Sequence, residues 1–133
     1  MPAYPKPSKR RKSSPAAKKT LLAELTNRDG HVCAWTGIDD DTLVPQHRSG
    51  RGMGGDRSKN RLANLVWLKS SINSLIEDDP WWAEEARRRG IKISLHADPT
   101  LTPIVHAVHG TVILSDDGSI APQLDGYTPT EPF

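Results

Sequence analysis

Pro45-Gln46-His47-Arg48, then Gly50-Arg51-Gly52-Met53-Gly54-Gly55-Asp56-Arg57, then Asn60-Arg61-Leu62-Ala63-Asn64-Leu65 follow one another, and Asn73 stands nine positions beyond Asn64. One histidine, two amides and a cluster of arginines in this order suit the hydrolysis of a phosphodiester. Histidine titrates near neutrality and can take a proton from water. Arginine grips phosphate oxygens in pairs. The glycines between them allow close backbone approach to a bound strand. The stretch lacks the lysine and hydroxyl of a nucleotide-binding loop.

Outward from this stretch, glycine and charge prevent regular structure over 50–59. The apolar residues of 60–68 read as a helical turn or a short extended piece. Ser70 or Ser71 can cap a helix whose Ile72, Leu75 and Ile76 form an apolar stripe. Asp79-Pro80 opens another, with Glu84 and Glu85 early, Arg87-Arg88-Arg89 late and Gly90 as its stop. Those charges complement the helix dipole. Upstream, Thr20 caps a helix running to about Arg28, ended by Asp29-Gly30. Residues 31–35 and 42–47 read as two strands joined by the polar turn 37–41, in which Asp39, Asp40 and Asp41 are solvated. Downstream, Ile91 and Ile93, Ile104-Val105 and Val112-Ile113-Leu114 read as short strands, with a turn at Asp116-Asp117-Gly118. His106 and His109 would face opposite sides of a strand with no carboxylate at useful spacing, so their reading is structural. The expected fold class is α+β.

At 133 residues the chain is one domain with tails. Hydrophobic residues make up 35%, with one Phe and two Tyr, so the core is small and Trp35, Trp67, Trp81 and Trp82 carry much of its packing. The lone Cys33 excludes an internal disulfide and any zinc site with two thiolates. No apolar run follows the N-terminal charges and none approaches the ~20 residues of a membrane span, which reads as a cytoplasmic protein. Of 18 basic residues seven lie in the first twenty, which hold no acid; the other eleven face all 16 acidic residues, a net of −5. Pro2, Pro5, Pro7 and Pro15 with several serines cannot bury enough surface to fold alone. This tail, with Lys9, Arg10, Arg11 and Lys12, reads as an arm that meets phosphate backbones by counterion release, or else as a solubilising leader.

Residues 28–77 resemble the phage-type HNH endonucleases, built on the ββα-metal fold. The resemblance is carried by Arg28-Asp29-Gly30-His31-Val32-Cys33-Ala34-Trp35-Thr36-Gly37, Gln46-His47-Arg48, Arg51-Gly52-Met53-Gly54-Gly55, Asn60-Arg61-Leu62-Ala63-Asn64-Leu65 and Asn73 through Glu77. Asp98-Pro99, Pro103, His106 to Gly110 and Asp116-Asp117-Gly118 look like the tails of actinobacterial-phage members. It implies a disordered basic arm over 1–19, a nuclease domain over 20–95 and a strand-rich extension over 96–133. It further implies DNA cleavage of low sequence specificity with one Mg²⁺ or Mn²⁺, in the host cell of a phage and beside a packaging terminase.

By the same resemblance His47 is the general base and Asn64 braces the loop that orients it. Asn73 is a metal ligand, and Gln46 stands at the other ligand position, where the family usually carries aspartate or histidine. Arg48, Arg51, Arg57 and Arg61 grip phosphates; Asn60 and Ser74 are candidate supporting groups. With Gln46 and Asn73 both neutral, substrate phosphates complete the cation site. The alternative is a weak or inactive DNA-binding packaging accessory on the same fold. Many relatives hold a structural zinc with two CxxC pairs. The corresponding positions here are Cys33 with Thr36 and Lys69 with Ile72, so no structural zinc is expected. Cys33 and Ile72 should instead pack as apolar residues beside Trp35 or Trp67.

Overall fold

Leu65, Val66, Trp67 and Leu68 are consecutive and all buried, because the strand they form is covered on both faces. The computed structural model describes residues 15–50 and 57–123; Lys9, Arg10, Arg11, Lys12, Arg51 and the side chain of Arg57 lie outside the described residues. Strand β1 (Leu43–His47) pairs antiparallel with β2 (Leu65–Lys69), Leu43 opposite Lys69 and His47 opposite Leu65. Side chains alternate along β2. Val66 and Leu68 enter a core with Cys33, Ile72, Ile76, Ala86, Ile91, Ile104, Val112 and Leu114. Leu65 and Trp67 enter a second cluster with Leu25 and Leu62 on the side of α1 (Pro15–Asp29). Helix α2 (Ser70–Asp78) follows β2 directly, then α3 (Pro80–Arg88). A second antiparallel sheet, β3 (Ile104–His106), β4 (Gly110–Leu114) and β5 (Ile120–Pro122), completes an α+β architecture. Among the described residues no helix is long and apolar enough to cross a membrane.

The local signals act as expected around α3. The Asp79 side chain accepts from the backbone N–H of Trp81 at 2.8 Å, Pro80 fills the first helical position, and Arg88 and Arg89 both pair with Glu85. Arg89 also covers the Trp35 ring, its guanidinium 4.2 Å from the ring centre. Cys33 and Ile72 share one core with Trp35 packed against it, and Cys33 Sγ accepts the backbone N–H of Lys69 at 3.4 Å. Cys33 thus meets Ile72 through packing and Lys69 through one weak hydrogen bond.

Elsewhere the structure differs from the expectation. Helix α1 begins at Pro15, before Thr20, because a proline in the first turn sacrifices no helical hydrogen bond. Residues 31–35 form turns, not a strand. The N–H of Gly37 bonds Cys33 O at 2.7 Å and that of Cys33 bonds Ile38 O at 3.0 Å, closing a loop on Gly37 at φ 77°. Ile93 makes one isolated bridge to Ser49 instead of a strand, because the N–H groups of Ile91 and Lys92 are taken by Ala86 O at the end of α3.

The largest correction concerns Arg48, expected to grip phosphate. It is 0% exposed, and its guanidinium is spread over backbone carbonyls. Nε donates to Gly90 O at 2.9 Å, Nη1 to Ala63 O at 3.0 Å and Pro99 O at 3.1 Å, and Nη2 to Thr102 O at 2.8 Å. Burial, reinforced by the charge of Arg28, pushes its pKa down to about 10, so it remains a cation at neutral pH. Gly90 is required at the same junction. Its φ is 71°, and a Cβ there would lie 2.0 Å from Pro103 O.

Replacing Arg48 by methionine keeps bulk but strands carbonyls that each cost about 1–3 kcal/mol when buried and unmet. Arg48→Met is expected to lose at least ~3 kcal/mol in urea denaturation, and Gly90→Ala to fold poorly or not at all. An unchanged midpoint for either variant contradicts this account.

Candidate functional site

His47 ends β1, half-buried, and the residue that follows it is fixed at both its N–H and its C=O. The N–H of Arg48 bonds Asn64 O at 2.7 Å and the O of Arg48 accepts from Ile93 N at 2.9 Å. Asn64 is fully buried. Its Oδ1 accepts the N–H of Ser49 at 2.8 Å, while Nδ2 donates to Ser49 O at 3.0 Å and Lys59 O at 2.9 Å. One amide therefore ties together the two ends of the segment between Ser49 and Lys59. Lys59 Nζ reinforces the tie by donating to Ser49 Oγ at 2.7 Å and to Leu95 O. The next residue, Asn60, brings its Oδ1 to 2.8 Å from His47 Nε2. Asn64 thus acts on the histidine through the backbone it holds.

Gln46 stands opposite Val66, which packs with Ile72 and Ile76 of α2, so Gln46 leaves β1 on the α2 side. His47, opposite Leu65, leaves it on the other side, at the strand end. On α2, Asn73 Oδ1 is buried and has no hydrogen-bond partner. An unmet buried carbonyl costs about 1–3 kcal/mol. Glu77 lies one helical turn further, on the same side of α2. Lys92 links this helix to β1: its Nζ donates to His47 O at 3.3 Å. Burial lowers the Lys92 pKa, and the Glu77 carboxylate opposes the shift. Glu77 therefore lies within electrostatic reach of Lys92, whose ammonium meets the backbone at the end of β1. Arg61, next to Asn60 in the chain, is 36% exposed, with Nε on Asp116 Oδ2 at 2.9 Å and Nη2 at 3.5 Å from Asp98 Oδ1.

A second cluster escapes sequence reasoning. His106 ends β3 and His109 sits in the following turn, so their rings converge to 4.7 Å instead of facing apart. The missing carboxylate comes from Asp29 at the end of α1. Its Oδ2 lies 3.2 Å from His106 Nε2 and its Oδ1 2.9 Å from His109 Nε2. The ligand atoms of these residues lie within 4.8 Å of one another, close enough for a metal ion. The hydrogen bonds favour another role. Arg28 clasps both carboxylate oxygens, at 2.7 and 2.6 Å, and also donates to Leu62 O and Leu65 O. His106 Nδ1 accepts the N–H of Val108 at 3.1 Å, so in the neutral ring the proton is on Nε2, where a metal would need a lone pair. The cluster is a satisfied polar clasp between α1 and the β3–β4 turn. No pattern within residues 104–110 could have revealed it, since Asp29 is 77 positions from His106.

Burial alone would raise the Asp29 carboxyl pKa, but hydrogen bonds and charge from Arg28 and His106 prevail and hold it well below its ordinary 3.8. A carboxylate depressed on folding contributes stability above its unfolded pKa and loses it as pH falls toward the folded value. The clasp should therefore weaken on acidification below about pH 4. Asp29→Asn, which leaves the Arg28 charge buried and unpaired, should cost about 3–5 kcal/mol at neutral pH. It should also flatten the acid limb of a stability–pH curve measured by urea denaturation. A variant with the wild-type acid limb would remove Asp29 from this role.

Comparison with known proteins finds no matching family model, no matching curated protein and no matching solved structure.

Proposed function

We propose that this protein is a metal-dependent HNH endonuclease that hydrolyses DNA phosphodiester bonds, with β1, β2 and α2 as its ββα-metal core. The observation that carries the reading is the Asn73 Oδ1, a hard oxygen donor kept buried and unmet on α2, the helix that directly follows β2. Order and connectivity support it: a strand ending in His47, a segment tied off by Asn64, a second strand, then a helix bearing Asn73. A divalent cation, Mg²⁺ or Mn²⁺, would be held by the Asn73 and Gln46 side-chain oxygens with substrate phosphate oxygens, and would supply neutralisation of the charge that builds on the phosphate.

His47 takes a proton from water as its oxygen attacks phosphorus. The bond to one bridging oxygen breaks, and that oxygen leaves as an alcohol after gaining a proton from solvent. The phosphate keeps the attacking oxygen. With Arg48 inside the protein, the backbone of DNA is met by Arg51 and Arg57, by Lys9, Arg10, Arg11 and Lys12, and by Arg61 exchanging its carboxylates for phosphate. Such contacts give affinity with little sequence preference and strong salt dependence. Phage DNA packaging, with a terminase as partner, is the setting that this reading carries with it. The neutral Gln46 favours a second reading, a DNA-binding packaging accessory without activity.

Supercoiled plasmid incubated with Mg²⁺ or Mn²⁺ should be nicked by the wild type and at least ~100-fold more slowly by His47→Ala. If both are inert and bind DNA equally, the accessory reading replaces the nuclease.

A further inference from the structure

We propose that Asp98 and Asp116 stand in for DNA phosphate at Arg61, so that the chain beyond α3 limits DNA binding until a strand displaces these carboxylates. That the ligand is DNA rests on the function proposed above. Arg61 Nε donates to Asp116 Oδ2 at 2.9 Å, and Nη2 lies 3.5 Å from Asp98 Oδ1. The two acids come from far along the chain, 55 and 37 positions from the arginine. One positive charge therefore meets two negative ones, and the group as a whole repels a phosphodiester while Arg61 stays inside it.

The contact is suited to exchange. The Arg61 side chain is 36% exposed and each acid 44%, and ion pairs open to water are worth little. The other two arginines of this region differ: Arg28 and Asp29 are 1% exposed in their pair, and Arg48 is wholly buried. The Arg61 backbone is pinned, its N–H on Lys59 O and its carbonyl on the N–H of Asn64, each at 2.9 Å, so only the side chain has to move. Neither acid is stranded when it leaves. Asp116 Oδ1 accepts the N–H of Ala63 at 3.2 Å, and Asp98 Oδ1 accepts the N–H and hydroxyl of Thr100 at 2.9 and 2.7 Å. Those Thr100 bonds, helped by the Arg61 charge, hold the Asp98 carboxyl below its ordinary pKa, so it is ionised at neutral pH. A DNA backbone offers the guanidinium the same paired oxygens, and it also releases counterions, which a lone carboxylate does not.

Fluorescence anisotropy of a labelled DNA duplex with the full-length protein, in EDTA and about 50 mM salt, tests the exchange. The variant carrying both Asp98→Asn and Asp116→Asn should bind about fivefold tighter than the wild type. Its plot of log K against log salt concentration should steepen by about one. Adding Arg61→Ala should abolish both changes, and Arg61→Ala should weaken the wild type less than it weakens the amide variant. Asp98→Asn alone keeps the bond between Asp116 and Ala63 and should show part of the gain, which decides the matter if the double variant fails to fold. Unchanged affinity in the amide variants overturns the proposal, as does a gain that survives Arg61→Ala and so reflects net charge alone. Plasmid nicking separates this contact from the proposed activity. An Arg61-dependent gain in a protein that cuts no DNA sustains the contact and removes the nuclease reading, whereas nicking without the gain removes the contact alone.

Discussion

Two buried guanidinium groups hold the backbone just before and at the start of β2. Arg28 donates to the carbonyls of Leu62 and Leu65, Arg48 to that of Ala63, and the N–H of Arg48 to that of Asn64. These carbonyls leave a short 3₁₀ turn for a strand buried on both faces, with water excluded around Leu62, Ala63, Asn64 and Leu65. Left unmet they would cost several kcal/mol. Arginine answers the need with planar donors on a long stem. Arg28 has Asp29 as counter-charge, while Arg48 relies on carbonyl dipoles, and their proximity helps to depress the Arg48 pKa. Other carbonyls taken by Arg48 belong to Gly90, Pro99 and Thr102, so the same group draws the end of α3 and the chain before β3 over the β1–β2 pair.

That constraint reaches the candidate site through adjacency. His47 precedes Arg48, and a residue whose neighbour is locked at guanidinium, N–H and C=O has little backbone freedom of its own. With the Asn64 backbone already held, its side chain is available to bind Ser49 and Lys59. Positions that look functional from their chemistry thus divide in two. Arg48 and Asn64 hold the backbone at the end of β1 from inside, whereas the His47 ring meets the Asn60 amide and the Asn73 oxygen is left unmet on α2.

What was legible in the sequence was local. The Asp79 cap, Pro80, the ordering of charge along α3 and the Gly90 stop act over one or two helical turns. Chain spacing also brought Cys33 to Lys69 without the thiolates that usually explain such a pair. What escaped was non-local. Nothing near β1 says that its partner is β2 and not residues 31–35, and an arginine beside a glycine- and arginine-rich stretch looks like surface until Gly90, Pro99 and Thr102 close over it. The Asp29–His109 contact spans 80 positions. Asn60 lies between these extremes. Its residue type announces a polar role, but only the tie between Ser49 and Lys59 brings it to the imidazole.

The two histidine centres differ in a way that bears on the proposed reaction. The clasp uses a carboxylate, which orients imidazoles and adds a negative charge, tolerable because Arg28 cancels it. Around the end of β1 the corresponding groups are amides: Gln46, Asn60 and Asn64. Beyond the first twenty residues the chain carries a net −5, so a phosphodiester approaching the fold meets an opposing field. A neutral donor set adds nothing to that repulsion. It also attracts a free cation weakly, since oxygen ligands without charge give up much of the Coulomb energy that binds divalent ions. On the proposed reading both facts lead to the same order of assembly. DNA arrives first, drawn by the basic residues at the N-terminus and within 50–58, and its phosphate brings the charge that the amides lack. Cation affinity should then rise with DNA present, and substitution of Gln46 by an acid would tighten the metal alone while weakening the strand it must act upon.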